Sequence, residues 1–141
     1  YNLRWFLFGE HEKDKKVLNL ALDRIININE SSNIYKQNEE IDFNEYFDDI
    51  VGVTVFDKPI QKVKLLIKNE LWPYIETKPI HGSQMKPQFT DQGVIIELNL
   101  IINYEFIAVL LSHGDRLMVL QPTELVSTMK ERINSMKKLY D

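Results

Sequence analysis

Two small groups of residues carry side chains able to do chemistry. The first is Arg4, Trp5 and Arg24. A guanidinium is a planar fork of donors that fits a phosphate, and a nucleobase stacked on an aromatic ring gains about 1–3 kcal/mol. Plainer readings stand beside these. Trp5 lies between apolar neighbours on an apparent strand, where a tryptophan reads as core, and Arg24 serves equally as an exposed or structurally paired arginine. Asp23 and Arg24 are adjacent at the start of an expected strand, so their side chains point to opposite faces and do not pair with each other. The second group is His81, Ser83 and Gln84, a polar cluster at an apparent loop-to-strand entry. A hydrolase would need an acid and an oxyanion site beside the His and Ser, and neither is identifiable. These residues read as groups that bind the backbone at the start of a strand, with contact to an effector as their other use.

Other chemistries find less support. Three scattered histidines, no cysteine and no HExxH spacing give no basis for a metal site. Five glycines without a GxGxxG or GxxxxGK[ST] pattern disfavour a nucleotide-hydrolysing loop. No catalytic residue and no cofactor is expected. The absence of cysteine fits a reducing compartment, and the most apolar run, Val94 to Ile102, is broken by Glu97 and Asn99 and is far too short to span a bilayer. A cytoplasmic protein without a membrane partner is expected.

Charge is unevenly placed. The 141 residues carry a formal net charge of -4, yet between Glu39 and Asp57 lie seven acids and no Lys or Arg, which leaves 14 acids against 17 bases elsewhere. Lys62, Lys64 and Lys68 fall on one face of a strand, a pattern that tracks a phosphate backbone and that a solvated strand face also produces. Arg4, Lys13, Lys15 and Lys16 are offset by Glu10, Glu12 and Asp14.

The elements that must position these groups follow from periodicity. Leu3 to Phe8 reads as a strand closed by Gly9, and after the charged turn from Glu10 to Lys16 a return strand runs from Val17 to Leu22. A third strand is expected over Arg24 to Ile28. An Asn- and Ser-rich loop spans Asn29 to Asn38, and in the acidic stretch beyond it Phe43, Tyr46, Phe47 and Ile50 have the spacing of a short helix docked by aromatics. From Gln61 to Lys68 a half-buried strand places Val63, Leu65 and Ile67 inward. Asn69 is positioned to cap a helix through Leu71, Trp72, Tyr74 and Ile75 that ends by Pro79. Two strands, Ser83 to Phe89 and Val94 to Ile102, turn at Thr90-Asp91-Gln92-Gly93. Asn103 caps a helix that ends at Gly114, Leu117 to Leu120 is a brief strand, and Pro122 opens a last helix with Leu125, Met129, Ile133, Met136 and Tyr140 at helical spacing.

The expected fold is therefore α+β: a few barrel strands, then a βαββαβ order of the ferredoxin-like type with an extra C-terminal helix. The divisions are 1–38, an acidic linker with a short helix over 39–58, and 59–141.

Trp5-Phe6-Leu7, and the strand end Leu22-Asp23-Arg24-Ile25 that follows after a charged turn, resemble the WYL domain of bacterial transcriptional regulators. The downstream order, with the Pro79-Ile80-His81-Gly82-Ser83-Gln84 junction and the Gly114 to Pro122 strand, resembles that family's C-terminal extension. Phe6 departs from the family's tyrosine. The resemblance implies that residues 1–38 are the C-terminal part of an Sm-like WYL barrel, and that a winged helix-turn-helix headpiece belongs upstream in a longer chain. It also implies an effector-sensing role: a nucleic-acid-like or small anionic ligand, such as single-stranded nucleic acid or a nucleotide, bound on a basic surface that includes Arg24, with Arg4, Trp5, His81, Ser83 and Gln84 as further candidate contacts. A homodimer is expected, reaching operator DNA only through the absent headpiece. A dimerisation scaffold without a ligand is the alternative.

Overall fold

The computed structural model describes residues 3–13 and 15–141. Tyr1, Asn2 and Asp14 of the charged turn lie outside them. The described residues form a mixed α/β structure with two antiparallel sheets and four α-helices, and no closed barrel.

The first sheet is a hairpin. β1 (Phe6–Glu10) pairs with β2 (Val17–Ala21) in the register Phe6↔Ala21 to Glu10↔Val17. Alternation turns Phe6, Phe8, Val17, Asn19 and Ala21 to one side and Leu7, Leu18 and Leu20 to the other. Phe8 meets the short helix α1 (Phe43–Tyr46), with its ring 5.5 Å from Phe43 and 5.3 Å from Phe47. The expected aromatic docking of the acidic segment is thus present. Asp42 supports it by accepting a hydrogen bond from the Asn44 amide as N-cap.

The expected third strand over Arg24 to Ile28 does not form. Leu22–Arg24 is a 3₁₀ turn closed by the Ile25 N–H on the Leu22 carbonyl, and Ile26 beyond it is 92% exposed. The segment has strand composition but no strand edge beside it among the described residues, and strand structure requires that partner.

The second sheet carries the core. Its order is β4 (Gln88–Thr90), β5 (Gly93–Leu100), β3 (Gln61–Ile67), β6 (Leu117–Gln121), all antiparallel. Val63, Leu65 and Ile67 of β3, and Val94, Ile96, Leu98 and Leu100 of β5, point to one face. There they meet Trp72 and Ile75 of α2 (Trp72–Thr77), Phe106 and Leu110 of α3 (Tyr104–Ser112), and Leu125 of α4 (Thr123–Lys137). Gly93 makes the β4–β5 turn at φ +138°, and a Cβ there would lie 2.3 Å from the Ile67 carbonyl oxygen. Gly114 ends α3 at φ +61°.

Two boundaries differ from expectation. Ser83 to Phe89 contracts to the three residues of β4, because Pro87 offers no N–H to the ladder and the chain before it turns on His81. Asn69 does not cap α2: the Lys68 carbonyl accepts from both the Leu71 and Trp72 amides, so the helix starts from a tight turn with Leu71 at the N-cap.

Candidate functional site

The candidate residues fall into two separate places. Arg4 and Trp5 stand at the entry to β1. Trp5 is 81% exposed, which corrects its reading as core: the hairpin carries it past the aromatic cluster that Phe8 joins, and nothing among the described elements covers the indole. Its backbone is fixed, the carbonyl accepting the Leu22 N–H. Arg4 lies 3.6 Å from the Asp23 carboxylate in an exposed ion pair, so Asp23 turns toward Arg4 and not toward its neighbour Arg24. Arg24, one residue further, is exposed and ion-paired with no described residue.

Beside Trp5 lies a recess of about 230 Å³ lined by Arg4, Trp5, Phe6, Phe8, Phe47, Gly52 and Val53. Its lining thus combines one guanidinium, four aromatic rings and the Gly52–Val53 stretch. Arg24 shares this end of the hairpin without lining the recess.

Gly52 and Val53 belong to a strap, residues 51–54, that ties the hairpin to α3. On one side the Asn19 amide donates to the Val53 carbonyl at 2.8 Å. On the other, buried Asn103 donates from Nδ2 to the Val51 and Thr54 carbonyls, both at 2.9 Å, while its Oδ1 accepts the Phe106 N–H as the N-cap of α3. The Thr54 hydroxyl donates to Glu105 Oε1 and lies 2.7 Å from the Tyr104 hydroxyl. The Ile101 amide donates to the Asp49 carbonyl at 2.7 Å. Glu105 is buried; its Oε2 has no hydrogen-bond partner among the described residues. From the sequence Asn103 was legible only as a cap, and Gly52, Thr54 and Glu105 went unmarked. The one available signal was a lone glycine inside the apolar run from Ile50 to Phe56.

His81, Ser83 and Gln84 are elsewhere, at the junction between α2 and β4, and they hold backbone as expected. Ser83 Oγ donates to the Asn99 carbonyl, accepts the Asn99 N–H, and lies 2.8 Å from His81 Nδ1. Gln84 Oε1 accepts the Ile80 N–H. Together they dock the junction onto β5, where β4 has not begun. An open groove of about 640 Å³ runs past Gln84, Met85, Lys86, Gln88, Ile95 and Glu97.

On the helix-free face of this sheet, Lys62 and Lys64 converge on Glu97 at 2.6 and 3.4 Å, and Lys68 pairs with Asp115 at 3.0 Å. Each of the three thus has a carboxylate partner. The hydrogen bond from Lys62 holds the Glu97 carboxyl below the usual carboxylate range, helped by the charges of Lys62 and Lys64 and opposed by desolvation. The Lys68 hydrogen bond does the same for Asp115. Burial, and then the charge of Arg116, pushes the His113 imidazole down. Among the described residues no three His, Asp or Glu gather as a metal site, and no helix is long and apolar enough to cross a membrane.

No curated protein matches the chain. The WCX domain model matches residues 59–137, which take in the four-stranded sheet, α2, α3 and α4. The WCX domain is the C-terminal domain associated with WYL domains, and a match over more than half the chain is decisive: this protein belongs to the WCX-domain family.

Proposed function

We propose that the chain is the effector-sensing and dimerisation region of a bacterial transcriptional regulator of the WYL type, a binding module that acts on operator DNA through a helix-turn-helix domain elsewhere in the protein. The observation that carries this reading is the recess at Trp5. The exposed indole and Arg4 line it, together with the strap that Asn103 anchors to the WCX unit. A nucleotide or a short single strand has both parts the recess accommodates, a planar base for the ring and a phosphate for the guanidinium. Arg24 adds a second cation at the same end of the hairpin.

The sheet supports the same assignment by contrast. We read the order β4-β5-β3-β6 with its helices on one side as ferredoxin-like, and the hairpin as part of an Sm-like barrel. The open face of the two central strands carries Lys62, Lys64, Leu66, Ile95, Glu97 and Asn99, with no aromatic to stack a base. Base recognition therefore belongs at the hairpin. His81, Ser83 and Gln84 serve the backbone in this reading, since the Ser83 hydroxyl is engaged by Asn99 on both its donor and acceptor sides.

Relay follows from the strap. A ligand pressing on Gly52–Val53 acts on groups held by α3, and an effector that prefers one arrangement by about 1–3 kcal/mol shifts the population of the whole regulator. Titration of the complete regulator with short single-stranded oligonucleotides and with nucleotides, read by Trp5 emission and by operator affinity, tests this. Binding that weakens in Trp5→Ala and Arg4→Ala and falls with salt is expected; no binding, with operator affinity unchanged, overturns it. A second reading, dimerisation without a ligand, draws on the exposed far half of α4.

A further inference from the structure

α4 begins as a core element and ends as an arm. Leu125 is buried and Val126 and Met129 pack on the core, but from Lys130 to Asp141 every residue is exposed. The apolar stripe does not stop there: Ile133 and Met136 continue the face that Leu125 and Met129 began, and Leu139 and Tyr140 extend it in the turn that follows. Lys130 and Lys137, one heptad apart, edge that stripe, and Arg132 and Lys138 add to the charge against Glu131 and Asp141. In proteins most helical stability comes from packing of an apolar face, and the distal half of α4 has no such packing among the described residues.

The complementary surface lies on the same chain type. Glu39, Glu40, Asp42, Glu45, Asp48 and Asp49 are all exposed, and none is ion-paired among the described residues. Within this run sits an apolar footing, Phe43 at the edge of the aromatic cluster. Acids around an aromatic ledge match bases around an apolar stripe. A polyanion is the poorer occupant for the arm, because its surplus of two positive charges is small.

We infer that the distal half of α4, residues 130–141, docks on the acidic α1 segment, residues 39–49, of a second copy of this chain. The exchange is reciprocal about a two-fold axis, so each dimer has the contact twice. This rests on the dimer reading above and adds the surface and its sign of charge. It also places the contact on the segment that leads into the strap, so occupancy of the recess and the fit of the arm act on one stretch of chain.

The chain has no cysteine, which makes cross-linking clean. Equal amounts of a Met136→Cys chain and an Asn44→Cys chain are mixed under mild oxidation, and sedimentation velocity follows the wild type, Lys130→Glu/Lys137→Glu, Ile133→Asp, and the charge-reversed Glu45→Lys/Asp48→Lys. Expected are mixed cross-links well above either self-cross-link, a dimer that weakens as salt rises, and about tenfold weaker association in each of the three variants. Mixing Lys130→Glu/Lys137→Glu chains with Glu45→Lys/Asp48→Lys chains makes both contacts complementary again, one with its native charges and one with them exchanged, and restores the association. All altered positions are exposed, and unchanged circular dichroism establishes that the fold is retained. A dimer indifferent to these changes, without mixed cross-links, overturns the inference and leaves the dimer reading standing; a wild-type monomer at low salt overturns both.

Discussion

Gly52 rests directly on Glu105: a Cβ built on Gly52 would lie 2.8 Å from Glu105 Cγ and 2.9 Å from Glu105 Cβ. Gly52 also sits at φ +91°, a conformation L side chains rarely adopt. The contact seats a residue that lines the recess on the first turn of α3, where no side chain fits between them.

Gly52→Ala should therefore destabilise the chain by about 1–3 kcal/mol from backbone strain alone, with the clash added. Denaturant unfolding measures it. The same substitution in a Glu105→Ala background should cost less, because two of the three crowded side-chain carbons are gone, and the remaining cost reports the φ angle together with the 2.9 Å contact to the Cβ that alanine keeps. Equal costs in both backgrounds would show that the close approach is not felt.

Asn103 does two tasks with one side chain, and they separate by substitution. Asn103→Asp keeps the oxygen that caps α3 but removes the amide donor that holds the Val51 and Thr54 carbonyls. Leaving buried acceptors unpaired costs about 1–3 kcal/mol. Asn103→Ala loses the cap as well, for about 1 kcal/mol more. Hydrogen exchange distinguishes them: Asn103→Asp should expose the strap amides while leaving the first turn of α3 protected, and Asn103→Ala should expose both.

These two residues also mark how far the sequence could be read. The strands of the large sheet were legible because burial on one face writes a period of two into Val63, Leu65 and Ile67, and the turn at Gly93 and the cap at Asn103 have local chemistry of their own. The strap was not, since Gly52, Thr54 and Glu105 find their partners only through contacts about fifty residues apart. Arg24 to Ile28 failed for the opposite reason: its composition is that of a strand, but a strand is made by its neighbour, and none is beside it among the described residues. Trp5 was misjudged on the same principle, because apolar neighbours in sequence give no hint that Leu7, Leu18 and Leu20 face outward.

Glu97 gives a prediction with a definite sign. Lys62, and secondarily Lys64, hold its carboxyl below the ordinary value near 4.5. A group whose folded pKa is depressed stabilises the fold above its unfolded pKa and loses that contribution as pH falls through the folded one. The contribution is thus complete at neutral pH and disappears below about pH 4.5, the window opened by the downward shift. Carbon-detected NMR titration should place Glu97 below an unperturbed glutamate, and Lys62→Met should move it upward. An unchanged titration in Lys62→Met would mean that the 2.6 Å ion pair is not populated in solution.

The chain has two tryptophans in opposite environments, Trp5 exposed and Trp72 buried among the core residues and edge-on to Phe89. Iodide quenches only an indole it can reach, so the emission should divide into a red-shifted, quenchable part from Trp5 and a blue-shifted, protected part from Trp72. Trp5→Phe should remove the first and spare the second. Stability sharpens the distinction: Trp5→Ala, at an exposed site, should change unfolding free energy by no more than about 0.5 kcal/mol, whereas Trp72→Ala should cost about 3–5 kcal/mol through lost burial and the cavity left behind. A large loss in Trp5→Ala would return Trp5 to the core, remove the stacking platform from the recess, and take the ligand reading of the hairpin with it.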